Sequence, residues 1–362
     1  MWNNDFSYGC LAQLYSEFIY LLCFLKMKKV ILYCIVGLLL GVGLSLYYDR
    51  NLNTFMGVFM RAADESDRWA AELRKESDAP CYVFTAGSQV RMGCVYPKVM
   101  YDEYGVRAIN AAASAGYGLA CNTTVALSYL RPGDYLFVET RDLEYTRNEL
   151  LTSGGLKYCF QRLGIDMFSS PLINWNVEAL TSIAMCEAGE ISMYLVSRFL
   201  PSSDERLASS LPRIHESGWC EAKSKSSLKM RSFSGGLSNV KVSTAFREYL
   251  NVLKTECKAR GVNLCSFMHA HYIDETAVPR QALVAMRLIE EGIPVLKEIG
   301  FGCETDPECF SDSINHLSRK GAIKYSRLYA RSIVNNEYWT RKELEEILAK
   351  YGYAPDGTLF KS

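Results

Sequence analysis

A strand that ends at a glycine–serine corner constrains this chain most strongly. In residues 81–93, CYVFTAGSQVRMG, the apolar run 82–84 leads through Ala86 and Gly87 to Ser88, and a segment compatible with a helix follows. A strand followed by a helix opens an α/β unit, and in open α/β sheets ligands bind at the carboxyl ends of the strands. The hydroxyl of Ser88 is therefore expected at that edge, and we predict that it acts as a nucleophile.

The segments that follow repeat the alternation of strand and helix. Short apolar runs predict the strands, and helical periodicity with capping residues predicts the helices between them. The pattern is typical of a doubly wound, three-layer α/β/α domain with a central parallel sheet. Expected strands are 81–86, 106–111, 135–139, 262–268 and 293–296; expected helices are 53–77, 96–104, 116–130, 177–199, 243–260, 280–291, 320–333 and one that begins at Thr340 with Glu343 in a capping box.

The domain organisation follows from the same pattern. The 362 residues suffice for one large domain or two ordinary ones. Residues 79–338 are expected to form one α/β domain, with an insertion or lid around 200–240 that is rich in Ser, Lys, Arg and Gly. A linker helix is expected over 48–78, and a C-terminal helix and tail over 339–362.

An uncharged apolar segment precedes the domain. Residues 30–47, VILYCIVGLLLGVGLSLY, are just long enough to span a bilayer, and lysines at 26, 28 and 29 come directly before them. Positive charge on this side predicts a cytoplasmic N-terminus (1–29) and an extracytoplasmic, periplasmic domain, held by an uncleaved single-pass anchor in the inner membrane. The alternative is a buried core helix. Met27 resembles a natural start of translation, so residues 1–26 are a candidate extension upstream of the true start codon.

Charge and cysteine content narrow the class of function. The 40 Lys and Arg balance the 40 Asp and Glu, so nothing indicates a nucleic-acid partner. The 13 cysteines include no CxxC pair and no zinc spacing, so we expect neither a metal nor a cofactor. An exported domain permits disulfides, and Cys303 and Cys309, which flank a polar loop, are the expected pair. Cys81 and Cys265 are instead expected to be small buried residues in strands.

A base for Ser88 is found late in the chain. His316 follows the last predicted strand and precedes the last helix that covers the sheet, which places it at the same edge as Ser88. A serine hydroxyl is a weak nucleophile unless a base takes its proton, and that base needs an orienting acid. Asp312, four residues before His316, can supply the acid from the same loop.

Four motifs stand at corresponding points of the α/β pattern: GSQ at 87–89, INAAASAGYGL at 109–119, RPGDYLFVET at 131–140 and D-x-x-x-H-L-x-x-x-G at 312–321. Together they resemble the SGNH, or GDSL-like, hydrolase superfamily. The resemblance covers residues 80–140 and 244–334, and it is greater to the membrane-anchored branch found with bacterial envelope acylation systems, such as the teichoic-acid D-alanyl transfer protein and the alginate O-acetylation proteins.

The resemblance implies a catalytic serine, Ser88, with His316 as general base and Asp312 as its orienting acid. It also implies an oxyanion hole made by the backbone N–H groups of Ser88 and Gly116. The chain departs from the family at three points. Gly87 stands where the family has Asp, the Asp–His spacing is one residue longer, and no Asn follows the third strand. Thr140 or Arg141 replaces that Asn, or the hole has two donors.

Other side chains at the same edge are candidates for the substrate pocket. His269 and His271 follow the fourth strand, and each lines the pocket or is a structural histidine. Gln89 and Arg91 follow the nucleophile, and Arg91 either binds an anionic group or forms a surface salt bridge. Thr140 is a further pocket candidate. Two further residues were considered. Glu139 is expected to be a second acid or a carboxylate that caps a helix, and His215 is expected to be a solvated loop residue.

The sequence thus predicts a membrane-anchored extracytoplasmic serine esterase or O-acyltransferase. It would act on acyl groups of cell-envelope glycans, or on an acylated small substrate, through an acyl-serine intermediate, with a multi-span membrane acyltransferase as a candidate partner. The alternative is a catalytically inactive SGNH-like scaffold that binds a glycan or such an acyltransferase. A redox or metal protein is a third reading, which the absence of CxxC disfavours.

Overall fold

The computed structural model describes residues 55–140, 142–173, 212–222, 228–233, 237, 240–298 and 300–360. Within these ranges, no helix is long and apolar enough to cross a membrane. The predicted anchor at 30–47, the segment before it and the predicted helix at 177–199 lie outside the described residues.

In the described residues, the expected helices and four of the expected strands occur in the predicted order, and two helices and four two-residue strands that were not predicted lie among them. The strands are β1 Tyr82–Thr85, β2 Ala108–Asn110, β3 Tyr135–Glu139, β4 Arg213–Ile214, β5 Cys220–Glu221, β6 Asn263–Phe267, β7 His271–Tyr272 and β8 Cys303–Glu304. The helices are α1 Phe55–Glu76, α2 Pro97–Tyr104, α3 Leu119–Leu127, α4 Arg147–Leu150, α5 Ser153–Leu163, α6 Thr244–Ala259, α7 Val278–Glu290, α8 Arg319–Val334 and α9 Arg341–Lys350.

Four strands form a central parallel sheet in the order β2-β1-β3-β6. This confirms the α/β class and the parallel sheet. The fifth predicted strand, 293–296, is reduced to one parallel bridge between Val295 and Ser266. It goes no further because Leu296, the next residue, pairs with Tyr338 in an antiparallel bridge. Two smaller two-stranded pairs, β4–β5 and β7–β8, lie outside this sheet.

Apolar side chains cover both faces of the sheet. Successive side chains of a strand point to opposite faces, so Val83 and Phe84 belong to different parts of the core. Val83 packs in a cluster with residues of α1, α3, α6, α7 and α9. Phe84 packs in a second cluster with α2 and α8, and its ring stacks on Phe137 at 4.9 Å between centroids.

Helix ends follow the capping signals of the sequence. The capping box of Thr340 and Glu343 begins α9 as predicted. Gly105 ends α2 with a φ of 67°, a left-handed conformation that favours glycine. Ser243 begins α6 by accepting a hydrogen bond from the Phe246 N–H. The local rules therefore place the boundaries to within a few residues.

Helix α1, expected as a linker, packs into the domain. Ala70 and Leu73 are buried in the larger core cluster. The Trp69 indole donates a hydrogen bond of 2.9 Å to the carbonyl of Ala108, and Arg74 forms an ion pair with the buried Asp134. The helix is thus part of the structure that holds β1 and β2.

Part of the predicted insertion at 200–240 lies against the segment that follows Ser88. The hairpin β4–β5 carries Trp219, which is fully buried. Its indole donates a hydrogen bond of 3.1 Å to the carbonyl of Gly93, and its ring stacks on Tyr96. This hairpin therefore supports the nucleophile segment from one side.

Candidate active site

The predicted nucleophile stands at the turn between β1 and a short helical segment. Val90 and Arg91 donate backbone hydrogen bonds to the carbonyl of Gly87, so the chain turns into this segment immediately after the strand. Ser88 lies in the first turn and is half-buried. Its hydroxyl is thus at the carboxyl edge of the sheet, as the sequence predicted.

The structure brings Ser88, His316 and Asp312 together across 228 residues of sequence. The Oγ atom of Ser88 lies 3.0 Å from Nε2 of His316. The Nδ1 atom of His316 lies 2.9 Å from Oδ1 of Asp312. When Nδ1 donates to the carboxylate, Nε2 is the acceptor for the serine proton. This is the geometry required of a nucleophile, its base and the acid that orients the base.

The loop between Phe310 and Leu317 explains why the longer Asp–His spacing is compatible with this contact. The two residues pair in an antiparallel bridge that closes the loop. Inside it, the hydroxyl of Ser313 accepts a hydrogen bond of 3.2 Å from the His316 N–H, and the His316 carbonyl accepts one of 3.0 Å from the Ser311 N–H. This turn places the imidazole within hydrogen-bond distance of the carboxylate.

The carboxyl group of Asp312 is held in its charged form. Partial burial alone would raise its pKa, but the hydrogen bond and the charge of His316 outweigh burial and lower the pKa of Asp312 below its ordinary value. Its side chain is 32% exposed and that of His316 is 17% exposed. The carboxylate is therefore ionised and fixed beside the imidazole, and both side chains are partly exposed to solvent.

The loop after β2 lies directly against the residue before the nucleophile. A Cβ on Gly87 would stand 2.6 Å from Cα of Ala115, so no larger residue fits there without displacing the loop. The close approach of this loop therefore favours glycine at position 87. Gly116, the expected second oxyanion donor, is exposed, and its N–H points to Oγ of Ser114 at 3.3 Å. The expected role of Gly116 remains a prediction.

Two pocket candidates are corrected by their surroundings. The guanidinium of Arg91 is fully buried and donates to the carbonyls of Ala112 and Gly218 and to the hydroxyl of Ser66, so it forms no surface salt bridge. Thr140 is buried too. Its hydroxyl donates to the carbonyl of Val138 and accepts from Ser266, so it is not a free donor for an oxyanion. Arg141 lies outside the described residues.

A buried polar network beside the nucleophile was not foreseen as a unit. One carboxylate oxygen of Glu139 lies 2.7 Å from Nδ1 of His269, and the other lies 3.3 Å from Nε2 of Gln89. Glu139 and His269 are 2% and 4% exposed. The sequence signal was the strand-end position of both residues, but their pairing depends on β3 and β6 being neighbours in the sheet.

The other two histidines have different surroundings. His271 is buried, and its ring packs against that of His269, with the two centroids 3.9 Å apart. His215 was expected to be a solvated loop residue, and this is wrong. It is half-buried beside Trp219, and its Nε2 lies 2.8 Å from Glu221.

The cysteines do not form the expected bridge. Cys309 is a buried thiol whose Sγ lies 3.7 Å from a carboxylate oxygen of Asp306, and burial raises its pKa to about 12. The predicted Cys303–Cys309 disulfide is therefore absent. Cys81 and Cys265 are buried thiols, as expected. Across the described part of the chain, no group of three or more metal-ligating side chains occurs.

The site thus consists of a hydroxyl, an imidazole and a carboxylate in hydrogen-bonded series, next to a second, buried imidazole–carboxylate pair. Comparison with known proteins adds no relative: no family model, no curated protein and no solved structure matches this chain.

Proposed function

We propose that this protein is a serine esterase or O-acyltransferase that works through an acyl-serine intermediate. The observation that carries the proposal is the series Ser88 Oγ to His316 Nε2 at 3.0 Å and His316 Nδ1 to Asp312 at 2.9 Å. Serine hydroxyls acquire nucleophilic strength from such a base, and a base gains its orientation and charge compensation from such an acid.

The reaction proceeds in two balanced steps. Ser88 Oγ attacks the carbonyl carbon of an acyl ester or thioester while His316 Nε2 takes its proton, and that proton then passes to the leaving group. An acceptor O–H next attacks the acyl-serine ester and gives its proton to His316 Nε2, and that proton passes to Ser88 Oγ as the bond between Oγ and the acyl group breaks. If the acceptor is water the acyl group is hydrolysed, and if it is an alcohol the acyl group is transferred.

The proposed fold type is the three-layer SGNH-like arrangement. The strand order β2-β1-β3-β6, with apolar clusters on both faces of the sheet, supports it, because this is the order of flavodoxin-like doubly wound folds. In that family the substrates of the membrane-anchored branch are acyl groups of envelope glycans. We extend this class of substrate, a periplasmic location, anchoring by residues 30–47 and a membrane acyltransferase partner to the present chain as parts of the proposal.

A fluorophosphonate probe tests the nucleophile directly. The full-length chain, purified in detergent, is expected to be labelled on Ser88, with labelling lost in Ser88→Ala and strongly slowed in His316→Ala. His215→Ala is the matched control, since this histidine also pairs with a carboxylate, Glu221, but lies in the β4–β5 hairpin. A folded wild-type chain that takes up no probe would refute the proposal.

A non-catalytic scaffold is the second candidate. Two observations favour it: the Gly116 N–H is turned to Ser114, and Thr140 supplies no free side-chain donor after β3. Such a protein would bind its glycan or acyltransferase partner equally well with Ser88→Ala, whereas an enzyme would lose turnover with that variant.

Cell fractionation and protease accessibility of the domain test the proposed anchor and location.

A further inference from the structure

The carboxylate of Glu139 connects the nucleophile turn to the segment 269–272, which follows β6. Glu139 is the last residue of β3 and is buried. One of its oxygens accepts a hydrogen bond of 3.3 Å from Nε2 of Gln89, the residue directly after Ser88. The other oxygen lies 2.7 Å from Nδ1 of His269, which is also buried. A single side chain therefore contacts both segments.

The amide of Gln89 also packs against the backbone before the nucleophile. Its Oε1 atom lies 2.5 Å from the position that a Cβ would take on Gly87. Gln89 thus contacts Gly87 on one side and Glu139 on the other, while Ser88 stands between Gly87 and Gln89 in the chain. The amide that Glu139 holds therefore bears on the conformation of the backbone that carries Ser88.

The segment 269–272 in turn contacts the loop that carries the base. The ring of His271 packs against that of His269, with the centroids 3.9 Å apart. The next residue, Tyr272, donates a backbone hydrogen bond of 2.8 Å to the carbonyl of Ile314, inside this loop. The Tyr272 ring lies 5.3 Å from that of Phe310, at the start of the loop, between centroids. A connected set of contacts thus runs from the nucleophile turn to the loop of the base.

The contact between nucleophile and base depends on such surrounding structure. Ser88 and His316 are 228 residues apart in sequence, and their 3.0 Å contact needs both segments to be placed accurately. The hydrogen bond between them adds little net stability, because each group can form one with water instead. A displacement of about 1 Å at a reacting group costs about 10²-fold in rate. Contacts that fix the two segments relative to each other therefore matter for the reaction.

We propose that Glu139 is a positioning residue that keeps Ser88 Oγ within reach of His316 Nε2, by tying the nucleophile turn to the segment 269–272 and so to the loop of the base. This rests on the proposed acyl-serine chemistry and adds the group that aligns its two reacting side chains. Because the carboxylate is buried, its contacts are stronger than the same contacts at the surface would be.

Rates of fluorophosphonate labelling in two backgrounds test the proposal. Glu139→Met keeps the length of the side chain and removes both acceptor oxygens, so the second-order rate on Ser88 in the full-length chain is expected to fall about 10–100-fold. In His316→Ala there is no base to align, so adding Glu139→Met should change the slow residual rate less than about twofold, as read by mass spectrometry over long incubations. A purely structural role would lower the rate by the same factor in both backgrounds.

A double-mutant cycle tests the link through Gln89. Gln89→Met removes the hydrogen bond to the carboxylate and is expected to slow labelling about tenfold in the wild-type chain. In Glu139→Met that hydrogen bond is already lost, so adding Gln89→Met should slow labelling less than about twofold further.

Asp134→Asn is the matched control. This carboxylate is also buried and stands directly before β3, at the opposite end of the strand from Glu139. It accepts hydrogen bonds from the backbone N–H groups of Cys81 and Arg131. Its replacement should lower the melting temperature, while the labelling rate of the folded chain stays within about twofold of wild type, because the site lies away from the nucleophile turn.

Three results would overturn the proposal and leave the proposed function intact. They are a wild-type labelling rate in Glu139→Met, an equal loss of rate with and without His316, and a Gln89→Met effect that is as large in Glu139→Met as in wild type. Should Glu139→Met fail to fold, Gln89→Met compared in the wild-type and His316→Ala backgrounds decides in the same way. By contrast, a folded wild-type chain without any probe label on Ser88 refutes the proposed function and the positioning role with it.

Discussion

Replacement of Asp312 by Asn tests the proposed chemistry most sharply. Asn keeps the size of the side chain but removes its charge, and it can donate to Nδ1 of His316 and so favour the tautomer in which Nε2 carries the proton. In that tautomer Nε2 cannot accept the proton of Ser88. The loss is therefore one of orientation and charge at His316, with Ser88 itself unchanged.

The size of the effect follows from the distance between the two groups. Nδ1 and Oδ1 are 2.9 Å apart. For charge centres about 4 Å apart in an effective dielectric of about 20, the attraction between carboxylate and imidazolium is about 4 kcal/mol. At about 1.4 kcal/mol per factor of ten, its loss slows the reaction about 10³-fold. Because Asp312 is 32% exposed, we expect less than the ~10⁴-fold loss typical of a fully buried triad acid.

The assay is the second-order rate of fluorophosphonate labelling of Ser88 in the full-length chain. Asp306→Asn is the matched control: this carboxylate precedes the same loop, pairs with Lys320 and makes no contact with His316 in the described structure, so its rate should stay within about twofold of wild type. A loss below fivefold would refute the assignment of Asp312 as orienting acid.

Three further predictions concern the structure around the site. Gly87→Ala places a Cβ 2.6 Å from Cα of Ala115, and we expect it to cost about 1–3 kcal/mol in stability and to remove most of the labelling of Ser88. The control is Gly154→Ala, whose Cβ has its nearest contact at 3.7 Å and should be tolerated. Equal melting temperatures of the two variants would contradict this prediction. Hydrogen bonds from Lys297 and Thr340 lower the pKa of Glu343 to about 2. At this partly exposed site the charge of Glu343 contributes about 0.5–1 kcal/mol to the free energy of unfolding. That contribution is present above the unfolded pKa of about 4.3 and is lost as the pH falls towards 2. Urea unfolding of wild type and Glu343→Gln should therefore differ at pH 7 and converge near pH 2. Burial raises the pKa of Cys94 and Cys220 to about 12, so both should resist iodoacetamide at pH 8 and react only in urea, as read by peptide mass spectrometry; rapid alkylation of either in the folded chain would show that it is exposed.

The parts of the fold that depend on local rules were predictable from the sequence. The period of apolar residues and the capping residues located the strands and helices, and the rule that strand ends gather at one edge of a parallel sheet placed Ser88 near His316. The same rule placed His269 at that edge. It did not reveal that Glu139 would pair with it, because that contact depends on which strands are neighbours.

The errors concern side chains whose partners are far away in sequence. Arg91 was expected to bind an anionic group or to form a surface salt bridge, but its guanidinium is buried and donates to carbonyls of three distant segments. The Cys303–Cys309 pair was chosen on spacing alone, and spacing says nothing about where the thiols point. Thr140 was considered an oxyanion donor because it follows the third strand, but its hydroxyl is hydrogen-bonded to Val138 and Ser266 within the sheet.

The buried guanidinium of Arg91 has a mechanical consequence. It sits three residues after the nucleophile and is hydrogen-bonded to Ser66 on α1, to Ala112 after β2 and to Gly218 in the hairpin β4–β5. A tilt of α1 or a displacement of the hairpin would pull on the same side chain and so on the backbone next to Ser88. The backbone beside Ser88 is thereby coupled to α1 and to the hairpin, and a displacement of either element is transmitted to the turn that carries this serine.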